Sequence, residues 1–168
     1  MGIPGAGYPA AMTSRKQPVF REAVRADLEK IVRLLADDVL GSTRESPEVN
    51  EHYERAFAAI EADPNNRLIV ADLDGDVIGT LQLTYIPGLT YMGSSRAQIE
   101  GVRVAGDLRG RGVGHAMLRW AIEEARKMGC RVVQLTSDRQ RPDAIRFYQK
   151  VGFRPSHMGL RYILQDFD

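Results

Sequence analysis

The sequence has little of what marks several large protein classes. It holds one cysteine, Cys130, in 168 residues. That excludes an intrachain disulfide and any cysteine-rich metal site. A lone thiol fits a reducing compartment, so a cytoplasmic location is expected. No apolar run approaches the roughly 18 residues of a membrane span, and no membrane partner is expected. Neither sign of charge dominates: 23 Lys and Arg stand against 22 Asp and Glu, for a net charge of +1. This balance argues against a general nucleic-acid binder, so no nucleic-acid partner is expected. It also excludes a highly charged disordered chain. His52, His115 and His157 share no ligand spacing, so no metal is expected. A Gly-x-Ser-x-Gly nucleophile elbow is also absent.

What is present reads as one folded domain. Apolar residues make up 43% of the chain, enough for a core. Residues 1–18 are broken by Gly2, Pro4, Gly5, Gly7, Pro9 and Pro18. They read as a flexible leader, with Met12 as an alternative start, and residues 19–168 as the domain. Strands are expected over Val19–Val24, Leu68–Leu73, Val77–Tyr85, Ile99–Val104 and Arg131–Thr136, with a last strand or pair in Phe153–Leu164. Helices are expected after Asp27, from about Pro47 to Ala62, over Gly112–Met128 and over Pro142–Val151. Asp74-Gly75 marks a hairpin. This order predicts an α/β fold of the α+β kind, one mixed sheet with helices on its faces.

The most informative stretch runs from Ile99 through Val104 to Gly114, a strand, a tight loop and a helix start. A helix N-terminus offers unpaired N–H groups and positive potential. Glycine permits positive φ and close backbone approach. Gly110, Gly112 and Gly114, with Arg109 and Arg111 beside them, are compatible with a diphosphate cradle. They are equally compatible with a turn that merely starts a helix. A dinucleotide fingerprint needs glycine where His115 stands, and the Gly-Lys-Ser/Thr of a P-loop is missing.

Arg109, Gly112 and Gly114 match the Arg/Gln-x-x-Gly-x-Gly/Ala signature of the GNAT superfamily of N-acetyltransferases. The run from Ala144 through Tyr148 to Gly152-Phe153 resembles that family's Ala-x-x-x-Tyr-x-x-x-Gly-Phe segment. The resemblance covers residues 19–164. It implies a mostly antiparallel central sheet, splayed between the strands at 99–104 and 131–136, and acetyl-CoA as cosubstrate. Main-chain groups of Val102, Arg103 and Val104 would pair with pantetheine. Arg109, Gly110, Arg111, Gly112, Val113, Gly114 and His115 would form the diphosphate end. Arg141 stands where many relatives carry asparagine. Together with Phe147-Tyr148 and Ser156-His157-x-Gly159, it is similar to a subset that includes aminoalkylphosphonate acetyltransferases, without naming a substrate. Arg139 and Arg141 read as solvated arginines or as phosphate contacts.

The resemblance implies direct attack of an amine on the thioester within a ternary complex. The amine must be neutral, and the leaving thiolate benefits from an acid. Glu100 is the candidate base. Simple alternation sets it on the face of Val102 and Val104, where apolar neighbours would raise its pKa, and Gly101 marks a bulge that could re-aim it. The alternative is a strand-end carboxylate paired with arginine. Tyr148 is the candidate acid, or else a packing residue. His115 reads as an exposed first-turn residue, His157 as exposed or core-satisfied, with lining of the acceptor pocket as the alternative, Cys130 as a small buried residue and Trp120 as packing. The second helix and the Pro87–Ser95 loop are expected to shape the acceptor pocket. The expected acceptor is a primary amine of a small molecule. A protein acceptor and a non-catalytic acyl-CoA sensor are the alternatives, and a homodimer is left open.

Overall fold

The computed structural model describes residues 16–37 and 45–164. Alternating apolar positions build its sheet: β1 (Val19–Glu22), β2 (Asn66–Leu73), β3 (Asp76–Ile86), β4 (Arg96–Val104) and β5 (Val132–Leu135). The strands lie in that order, antiparallel except for the parallel β4–β5 pair. Four helices of nine or more residues flank them among the described residues: α1 (Leu28–Ala36), α2 (Glu51–Ala62), α3 (Val113–Lys127) and α4 (Pro142–Val151). The expected mixed sheet with helices on its faces is therefore present.

Each face buries its own stripe. On one, Met117, Leu118, Ala121 and Val151 pack on Ile69, Leu81, Leu83 and Ile99. On the other, Ile31 and Leu34 of α1 meet Val70 and Val77, while Leu28, Val32 and Phe57 join α1 to α2. Full burial of one such side chain contributes about 1.5–3 kcal/mol. Asp27 fixes the entry to α1. It accepts from Val24 N–H at 2.8 Å and from Arg21 at 2.7 Å, and Arg21 also reaches Asp72 at 2.8 Å. The Arg21 guanidinium holds the Asp27 carboxyl below its usual range.

Asp74 and Gly75 turn the β2–β3 hairpin with φ of 55° and 88°, the mirror-image turn that matches strand twist. Some boundaries differ from expectation. α2 begins at Glu51, not near Pro47, because Asn50 caps it by accepting from His52 and Tyr53 N–H. β4 begins at Arg96, since its polar residues Gln98 and Arg96 hide the pattern. The last strand does not form: residues 153–164 carry no regular structure. Met158, Leu160, Tyr162 and Leu164 alternate like a strand but are exposed, with no ladder beside them among the described residues. Residues 1–15 of the expected leader lie outside the described residues. Lys16 pairs with Asp74 at 3.0 Å.

Candidate active site

β4 carries one residue more than its partner needs. Thr80 faces Arg103 and Gln82 faces Glu100, so Leu81 alone opposes Gly101 and Val102. The extra residue is Gly101, at φ 61°, a conformation that side-chain-bearing residues adopt only at a cost. The bulge breaks the alternation and corrects one expectation. Val102 and Val104 pack with Ile99 on the α3 face. Glu100 pairs in register with Gln82 and lies on the opposite face, exposed. Its carboxylate is therefore not beside Val102 and Val104, the apolar neighbours expected for it.

The same strand opens a slot. β4 pairs with β5 from Arg96↔Val132 to Ile99↔Leu135, and there the ladder stops. β4 continues against β3 as far as Val104. Between Glu100 and Val104 its β5-side edge has no ladder partner among the described residues, as the splay implied by the resemblance requires. Two arginines hold carbonyls along this stretch. Arg103 donates to Val102 O at 2.9 Å, and Arg109 donates through Nε to Val104 O at 3.1 Å. Arg109 also reaches the Asp37 backbone carbonyl and, at 3.1 Å, its carboxylate.

Beyond Val104 the chain turns through Gly106–Leu108 to α3. Gly110 and Gly112 have φ of 74° and 90°, and a Cβ on either would meet nothing within 4 Å. The backbone faces open space there. The first intrahelical bond of α3 runs from Ala116 N–H to Gly112 O. The amides of Val113, Gly114 and His115 precede it and have no carbonyl within the helix. Gly114 serves a different purpose. A Cβ on it would stand 3.2 Å from Phe147 Cζ and 3.5 Å from Val104 Cγ2, so glycine lets α4 and β4 close on α3. Arg111 and His115 are exposed.

Tyr148 projects from α4 into an aromatic cluster. Its ring centroid lies 5.3 Å from Phe147 and 6.1 Å from Phe153. Burial raises the phenol pKa above its ordinary value, while the charges of Arg141 and Arg103 pull it back. Tyr148 thus stands electrostatically connected to the opened half of β4. α4 has its expected bounds because Pro142 opens it and Gly152, at φ 119°, closes it.

A cavity of about 180 Å³ lies between α1, α2 and the sheet. α2 lines it through Tyr53, Ala56, Phe57 and Ile60, and no residue of the Pro87–Ser95 loop does. Sequence reasoning missed the polar strip on the same face of the sheet. Gln134 donates to Gln98 at 2.8 Å, while Gln82 and Thr84 both donate to Asn66, at 2.8 and 2.7 Å. The signal was a period of two: Gln82 and Thr84, then Gln98 and Glu100.

Other singled-out residues have plain surroundings. His157 is exposed, with Nδ1 2.9 Å from Ser156 Oγ. Cys130 is half-buried against the main core, and Trp120 packs against Phe20 and Arg67. Arg139 is exposed. Among the described residues no His, Cys, Asp and Glu cluster could hold a metal, and no helix is long and apolar enough to cross a membrane.

Residues 29–153 match the model of the acetyltransferase (GNAT) family. An aminoalkylphosphonate N-acetyltransferase of Salmonella typhimurium is 32% identical over 105 residues, which are 62% of this chain and 68% of that protein. A solved structure described as a transcriptional regulator from Bacillus halodurans C-125 is 50% identical. It superposes with a TM-score of 0.85, covering 88% of this chain and 99% of that one. An acetyltransferase structure from Trypanosoma brucei is 26% identical, with a TM-score of 0.72 over 87% and 99% of the two chains.

Proposed function

This chain belongs to the acetyltransferase (GNAT) family, and from that premise we propose that it moves the acetyl group of acetyl-CoA to a primary amine of a small molecule, both held on the protein at once. The observation that carries this reading is the half-open β4, paired to β3 as far as Val104 but parted from β5 after Ile99. Its residues fit an extended pantetheine arm: the edge at Val102 and Val104 lies outside the β5 ladder, with Arg103 and Arg109 already on the two carbonyls and the arm left to the rest of the main chain. The positive-φ turn at Gly110 and Gly112, with the amides of Val113 to His115 and the cation of Arg111, fits a diphosphate.

Acetyl-CoA supplies an activated acetyl thioester. The protein's task is to orient an amine, take its proton and supply one to the leaving sulfur. Glu100 is exposed at the bulge beside Gln82, where it accepts the proton of an incoming amine. Tyr148 keeps its proton at neutral pH as an ordinary phenol does, and burial moves its pKa further up. It is the donor to the departing thiolate, and Arg103 and Arg141 stabilise the phenolate left behind. The similarity to the Salmonella aminoalkylphosphonate N-acetyltransferase supports a small amine acceptor.

The description of the Bacillus halodurans relative favours a second reading, an acyl-CoA-binding regulator without turnover. The net charge of +1 argues against its binding DNA directly. Thiol release from acetyl-CoA, measured with a panel of primary amines and with mass detection of the acetylated product, tests both. Amine-dependent release supports the transferase. Tight acetyl-CoA binding with no release above hydrolysis rejects amine acetylation and leaves the regulator.

A further inference from the structure

We propose that the cavity between α1, α2 and the sheet is the acceptor's apolar subsite, and that the preferred amines carry a phenyl-sized or branched alkyl group. The inference rests on the acetyl-transfer reading above. The cavity holds about 180 Å³, and an apolar cavity of about 150 Å³ is known to accept a benzene ring. Its floor is built from Leu28, Ile31, Val32 and Phe57, all buried. Its mouth is formed by Ala56 and Gly101, both exposed, with Ile60 and Gln82 half-buried beside them.

Charge decides the ligand class. None of the lining side chains among the described residues is charged. A carboxylate or phosphonate seated there would lose its water with no counter-charge to replace it. Each of the three polar lining groups already donates to a neighbour, and only Gln82 keeps a second N–H. Tyr53 donates to Glu45 at 2.9 Å, Thr80 to Ile69 O at 3.0 Å, and Gln82 to Asn66 at 2.8 Å. A sugar would find few free partners, whereas a hydrocarbon group needs none.

Position decides which end enters. Gly101 of the bulge lines the mouth, its neighbour Glu100 faces Gln82, and Gln82 lines the cavity as well. Residues directly opposite in such a pair have Cβ atoms roughly 5 Å apart. A hydrocarbon group in the cavity therefore projects its aminoalkyl arm past Gln82 toward Glu100 and the opened half of β4.

The test compares 2-phenylethylamine and isopentylamine with ethanolamine and 2-aminoethylphosphonate as acceptors. The apolar pair is expected to exceed the polar pair at least about tenfold in kcat/KM, the usual worth of a filled apolar pocket. Ala56→Phe adds bulk at the mouth and is expected to reduce that ratio by about tenfold. Ile60→Ala enlarges the mouth and is expected to shift preference toward a naphthyl amine. Binding is read independently from methyl NMR signals of Ile31 and Val32 as 2-phenylethylamine is added without acetyl-CoA. Methyl shifts with no thiol release from any amine keep the subsite and reject amine acetylation. Turnover of polar amines with no methyl shifts, or a ratio unmoved in folded Ala56→Phe, overturns the subsite and keeps the transferase.

Discussion

Removing one oxygen from Tyr148 separates chemistry from packing. In Tyr148→Phe the ring stays against Phe147 and Phe153, at 5.3 and 6.1 Å. Only the hydroxyl is lost while the ring packing is kept, so the melting temperature should stay close to that of the parent. The catalytic cost is expected to be larger. A proton donor aimed at a leaving group contributes 10²–10⁴-fold, which is about 3–5 kcal/mol of barrier. Because the interaction forms mainly as the C–S bond breaks, kcat should fall while acetyl-CoA affinity stays close to normal. Burial raises the phenol pKa above its ordinary value, so the acid remains protonated across neutral pH. The ratio of wild-type to variant kcat should therefore stay flat from about pH 7 to pH 9, below the ordinary phenol value of about 10. It should shrink with a donor whose thiol is more acidic. Steady-state kinetics, donor calorimetry and a melting curve read all of this. Normal kcat in a folded variant, or a loss that appears only in donor affinity, refutes the acid.

Glu100→Gln should lower turnover at least about tenfold and remove one ionisation from the rising limb of the pH–rate curve, with donor affinity retained; wild-type turnover with the same limb refutes the base. Arg111→Glu reverses an exposed cation beside the positive-φ turn and should weaken acetyl-CoA about tenfold at low salt, less at high salt; calorimetry at two ionic strengths checks this, and unchanged affinity removes Arg111 from the diphosphate end. Asp27→Asn breaks the partly buried pair with Arg21 and should cost about 2 kcal/mol of stability. Since the folded Asp27 pKa is depressed, its contribution is complete above the unfolded value of about 3.9 and is lost as pH falls through the lower folded value. Urea melts from pH 7 downward should show the wild type and variant converging only in acid.

Legibility in the sequence followed the strength of local signals. α4 was readable to the residue because Pro142 and Gly152 are backbone constraints in themselves. The β2–β3 hairpin was readable for the same reason at Asp74-Gly75. Asn50 was overlooked as a cap because Pro47 is also a good helix opener. The alternation over Met158–Leu164 is a strand pattern, but a strand also needs a partner, and pairing is not a local property. At the candidate site, the glycine turn and Tyr148 stood out in the chain. The face of Glu100 did not, because one inserted residue reverses every assignment beyond it. The cavity was invisible, since it depends on how α1 and α2 sit over the sheet.

The packing of β4 does not itself demand the inserted glycine. Ala97, Ile99, Val102 and Val104 all meet the α3 face. A chain lacking Gly101 would keep all four there, because the deletion restores plain alternation along β4. It would also remove a left-handed residue at φ 61° and let the β3 ladder run unbroken. Folding alone therefore has no use for this residue. A deletion variant should melt no lower than the parent yet lose turnover, the opposite of the usual order in which stability fails first. The bulge thus serves the placing of Glu100 and the unpaired half of β4 rather than the packing of the α3 face.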